Sequence, residues 1–169
     1  MSPPRAQASC PPLVALAAAA LLAAIAGCGG ERPRPLVGLN RQLAGEDSSR
    51  EPALAGRWLA LISTREGRDR VQLVDVERNA QLPLPGLNRP DAQLLSVSVD
   101  LAGERLALVR QLEGRTELVL YQRSQGSLRQ LPISPAGVPR RVQLRADGRQ
   151  LAVEVSRNGL WQIDLLSLP

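Results

Sequence analysis

Histidine is absent from this 169-residue chain. That removes the imidazole base of a Ser-His-Asp triad and every His-ligated metal site. Lysine is absent too, so all 21 basic residues are arginine, and neither a Schiff base nor a P-loop lysine can form. Cysteine occurs only as Cys10 and Cys28, which excludes a Cys-rich zinc site or a disulfide framework. With no phenylalanine, the only aromatics are Trp58, Tyr121 and Trp161, so the core must be aliphatic. No glycine-rich phosphate loop is present. The 21 arginines outweigh 16 acids for a net charge of +5. Stacking aromatics are missing from around the basic residues, and this argues against nucleic acid as a partner.

The N-terminus has the grammar of an export signal. One charge, Arg5, precedes an unbroken apolar run over residues 13–26. A membrane-spanning helix needs ~20 apolar residues, so the run is too short for one. It ends in Ile25-Ala26-Gly27-Cys28, followed by Gly29-Gly30. An aliphatic residue, two small residues and a cysteine resemble the lipobox of bacterial lipoproteins. The resemblance implies a diacylglyceryl group on the Cys28 thiol and signal cleavage between Gly27 and Cys28. Cys10 lies before the apolar run and is not the processed site. Several acyl chains on Cys28 would hold the protein stably, where one gives only marginal attachment. Cys28 would then be the sole cysteine of the mature chain. Gly29 stands where enteric bacteria use Asp for inner-membrane retention, so by that analogy the outer membrane is favoured. The expected organisation is a signal over residues 1–27, a tether over 28–52 and a folded domain over 53–169. Within the tether, Glu31-Arg32-Pro33-Arg34-Pro35 reads as extended and residues 46–52 as a polar loop.

Three repeats organise the folded part. Gly56-Arg57-Trp58-Leu59-Ala60-Leu61-Ile62 is echoed by Gly103-Glu104-Arg105-Leu106-Ala107-Leu108-Val109 and by Gly148-Arg149-Gln150-Leu151-Ala152-Val153. Each leads to a further strand pattern, Val71-Gln72-Leu73-Val74-Asp75, Leu118-Val119-Leu120-Tyr121 and Leu160-Trp161-Gln162-Ile163-Asp164-Leu165. Residues 94–99 and 141–144 read as opening strands of the second and third units. Short aliphatic or alternating runs separated by Gly and Asn are strand patterns. Glu66-Gly67, Glu113-Gly114 and Asn158-Gly159 mark hairpin tips. Leu82-Pro83-Leu84-Pro85 and Leu131-Pro132-Ile133 read as outer edge strands, where a missing N–H breaks no ladder. No helix pattern appears outside the signal.

Four short strands per unit of about 40–50 residues is the period of a propeller blade. The units resemble TolB-like, WD40-type β-propeller repeats, best at Ala146-Asp147-Gly148-Arg149-Gln150-Leu151-Ala152-Val153. The expected fold is therefore all-β, with about three four-stranded blades forming a small, distorted or incomplete propeller. Leu36-Val37-Gly38-Leu39-Asn40-Arg41 repeats as Leu84-Pro85-Gly86-Leu87-Asn88-Arg89. On that echo, residues 35–41 are expected to return as a closing strand for the third unit, which stops after its third strand.

Candidate chemistry is sparse. Asp75 and Asp164 close equivalent strands and read as turn caps rather than a catalytic pair. Asp147 before Gly148 is turn chemistry, while Asp69 and Asp100 fit no calcium-loop spacing. Ser63, Ser96 and Ser98 have no nucleophile-elbow context or base. No catalytic residue, metal site or cofactor is expected. Arg140 and Arg141 with Arg145 and Arg149, and Arg65 with Arg68 and Arg70, form basic clusters. A solvated surface accounts for them most simply, and anionic lipid or an acidic protein would suit them better than nucleic acid. Trp58 and Trp161 are expected to pack between units. With Arg140 and Arg141 they form the candidate binding face. The expected function is a lipid-anchored, periplasm-facing protein-binding module, attached to the membrane through Cys28 and partnered by another envelope protein. The alternative is a small-ligand or polysaccharide-binding lipoprotein. A hydrolase using Asp75 or Asp164 ranks third.

Overall fold

The computed structural model describes residues 32–169, and residues 36–169 form one compact unit. Gly27 and Cys28, and with them the signal and anchor, lie outside the described residues. One short helix, α1 (Val37–Leu43), precedes eleven strands. The first sheet contains β1 (Ser48–Ala55), β2 (Trp58–Arg65), β3 (Arg68–Asp75) and β4 (Ala80–Leu82) in that order. The second repeats the meander with β5 (Gln93–Val99), β6 (Arg105–Leu112), β7 (Arg115–Gln122) and β8 (Ser127–Leu131). The third has only β9 (Val138–Leu144), β10 (Gln150–Arg157) and β11 (Leu160–Ser167). All the pairings are antiparallel. This is the incomplete propeller expected from the repeats, with two four-stranded blades and one of three strands.

Sequence explains how the sheets stack. The central sheet is buried on both faces, so its inner runs are continuously aliphatic. Leu106 and Leu108 face the first sheet, while Ala107 and Val109 face the third. Val119 and Tyr121 alternate in the same way with Leu118 and Leu120. Tyr121 donates its hydroxyl to the Pro85 carbonyl at 2.9 Å, which pins the link between the first two sheets. Burial holds that phenol above its ordinary pKa. In β10 the pattern alternates, with Leu151, Val153 and Val155 buried against the second sheet and Ala152, Glu154 and Ser156 half-exposed.

The repeated glycines do more than turn the chain. At Gly103, φ is +65°, and a Cβ there would stand 2.6 Å from the Trp58 ring of the preceding blade. Gly56 meets Leu101 in the same way. At Gly148 the carbonyl accepts from Arg105 Nη1 at 2.9 Å, and the Leu101 amide donates to Ala146 at 2.9 Å. The turns therefore couple each blade to its neighbour.

Three expectations need correction. Residues 37–43 form α1, not the end of a closing strand, so the third sheet does not gain a fourth strand from 35–41. The segment is tied to the first sheet instead: Gln72 donates to Glu46 at 2.9 Å, and the Asp47 amide bonds Thr64 at 3.0 Å. Residues 48–52, read as loop, belong to β1. Its bulge around Glu51, at φ +52°, absorbs the polar stretch and Pro52 without breaking the strand. The proline segments at 83–85 and 132 begin just after β4 and β8 end, because their missing N–H groups terminate the pairing. Beyond β4, the Asn88 side chain bonds both backbone groups of Val71, at 2.8 and 3.0 Å. The echoed Asn40 lies in α1.

Candidate functional site

The first strands of the three sheets, β1, β5 and β9, lie side by side and enclose an open trough of about 750 Å³. Backbone ladders do not join these strands to one another. Side chains do: the Val142 and Leu144 amides donate to the Ser96 and Ser98 hydroxyls at 3.3 and 2.8 Å. Arg50 Nη2 reaches the Leu94 carbonyl at 3.0 Å. The serines, with no base beside them, act as cross-blade links.

Two leucines remain open in the trough, Leu54 at 68% exposure and Leu101 at 56%. Its polar lining includes Glu51, Arg141 and Arg145. Arg141 approaches Glu51 at 3.7 Å, bridging from β9 to β1, and Arg145 pairs with Asp147 at 3.3 Å. The lining thus sets two exposed leucines and the Ser96 and Ser98 positions beside charges of both signs. Among the described residues, no cluster of three metal-ligating side chains occurs.

The four residues expected to share a face lie in three places. Arg141 is in the trough. Trp58 is buried between the first two sheets at 7% exposure, beneath the Arg57 guanidinium at 4.6 Å and with Arg123 at 5.9 Å. That position matches packing between units. Trp161 does not: it stands 53% exposed on β11, with Arg140 at 5.1 Å from its ring. Leu54 and Leu101 carry no expectation from sequence, because each stands just before a repeated glycine, where the pattern reads as a turn. Their signal, an apolar residue flanking each repeated glycine, was present but ambiguous.

The carboxylates are occupied structurally. Asp75 accepts the Glu77 and Arg78 amides at 3.1 Å each, capping its turn, and Arg57 lies 3.4 Å away. Asp100 does the same for Glu104 and Arg105. Asp164 is not a turn cap; it takes a two-pronged bond from Arg157, which holds its carboxyl below the usual range. In the first sheet, Arg50 and the Thr64 hydroxyl hold Asp69 low in the same manner.

No family model matches the chain, and no curated protein is similar to it. Solved structures do share its fold. TolB from Acinetobacter baumannii superposes with a TM-score of 0.55 at 15% identity, over 73% of this chain and 30% of that one. A TolB-type structure from Agrobacterium tumefaciens gives 0.60 at 8% identity, over 75% of this chain and 48% of its own. The chain thus spans less than half the length of either, and the likeness is one of β-propeller architecture.

Proposed function

We propose that this chain is an exported, lipid-anchored protein-binding module of the bacterial cell envelope, facing the periplasm, with the outer membrane favoured. The observation that carries the binding role is the trough, where Leu54 and Leu101 stand exposed beside Glu51, Arg141 and Arg145 on a framework fixed by inter-blade bonds. A fixed scaffold that presents exposed leucines beside charges of both signs suits docking of a protein segment. The anchor rests on Ile25-Ala26-Gly27-Cys28. Among the described residues, no helix is long and apolar enough to cross a membrane.

The test is extraction of the native protein in mild detergent, followed by crosslinking and mass spectrometry. A stoichiometric envelope protein crosslinked near Leu54 or Arg141, with an acylated N-terminal Cys28 peptide, is expected. An unmodified Cys28 contradicts the anchor. Absence of any protein partner, together with a Trp fluorescence change on adding cell-wall fragments, would move the assignment to ligand binding.

A further inference from the structure

The last strand of the third sheet is amphipathic in the wrong sense for a free sheet. Register places Trp161, Ile163 and Leu165 of β11 opposite Ser156, Glu154 and Ala152 of β10. The β10 residues that face the second sheet are Leu151, Val153 and Val155. The β11 apolar residues therefore point away from the core, at 53%, 67% and 79% exposure. The inward positions of the same strand include Gln162 and Asp164, both bonded to Arg157 at about 3 Å. A solvated sheet face normally carries polar residues. An apolar stripe over three successive outward positions instead marks a covered surface.

We propose that this face, exposed among the described residues, is a self-association surface that seats the same face of a second copy, giving a two-fold dimer. Three observations select that occupant. First, the opposite end of the stack is already closed. Leu61, Ser63, Gln72 and Val74, on the outer face of the first sheet, are buried, and the segment after α1 is bonded to Gln72 there. A head-to-tail ring would need that face, whereas like-to-like pairing of one open face closes after two copies. Second, the face carries both charges, Arg140 and Glu154, 3.9 Å apart beside Trp161. A two-fold operation can set each against its opposite. Third, three strands of about eight residues cover a plan of roughly 26 by 14 Å. Such a face would bury on the order of 1,000 Å² in total, enough for weak, reversible association.

The test uses the full acylated chain in mild detergent with a photo-reactive residue at Leu165. Mixed isotope-labelled and unlabelled copies separate intermolecular from intramolecular products. The expected product is a dimer whose crosslinked peptide comes from β10 or β11 of the other copy. Ile163→Glu should weaken the dimer at least about tenfold and leave the strand circular dichroism unchanged. If that variant unfolds, the Leu165 crosslink decides. A monomeric mass throughout a concentration series overturns the proposal. So does a crosslink landing on β2 or β3, which means head-to-tail assembly, or on a different protein.

Discussion

Single residues join the blades, and their contributions can be separated. Gly103 and Gly67 both sit at positive φ, +65° and +72°, but only Gly103 has a neighbour where a Cβ would go. An alanine costs roughly 1–2 kcal/mol in that conformation alone, and forcing it against Trp58 adds about 1–3 kcal/mol. Chemical denaturation should therefore show Gly103→Ala losing more stability than Gly67→Ala by that second amount. Equal losses would mean the turn, not the blade contact, fixes Gly103. The Arg110–Glu117 pair, 2.6 Å apart with both side chains mostly buried, gives a second expectation. Glu117→Ala strands a buried guanidinium and should cost about 3–5 kcal/mol, much of it recovered by replacing both partners with aliphatics.

At the scale of elements, legibility followed burial. Leu-Ala-Leu-Val in β6 is aliphatic throughout because both faces are covered, and the three hairpin tips announced themselves through Gly at positive φ. β1 was hidden because it borders the open trough, carries charge and bends at Glu51. α1 was hidden because Leu36 offers no side-chain cap and its first turn has no acid; tertiary contact holds it rather than propensity. Trp161 misled for a physical reason: alternation reports which face is apolar, not whether that face points into this chain's core. The Arg50–Asp69–Thr64 cluster ties β1 to β2 and β3 and predicts a pH dependence. Asp69 is held below the ordinary carboxylate value of about 3.9. Its stabilising contribution is therefore complete above that value and lost as pH falls through the lower folded value. Asp69→Asn should lower the urea midpoint at pH 7, and the gap to the parent should close below about pH 4. A constant gap would show the carboxylate's charge to be irrelevant.

At the largest scale, among the described residues, the three sheets stack in chain order, with the outer face of the first covered by the segment after α1 and the outer face of β11 exposed. The repeat period made the propeller architecture readable, yet the trough could not be read, since it exists only where three distant strands converge. Whether a protein docks in that trough is decided by a photo-reactive residue at Leu54 of the full chain, irradiated in intact cells. Mass spectrometry should find one dominant envelope protein, and Arg141→Glu should reduce its yield. Adducts confined to saccharide, or none at all, would mean that no protein docks there.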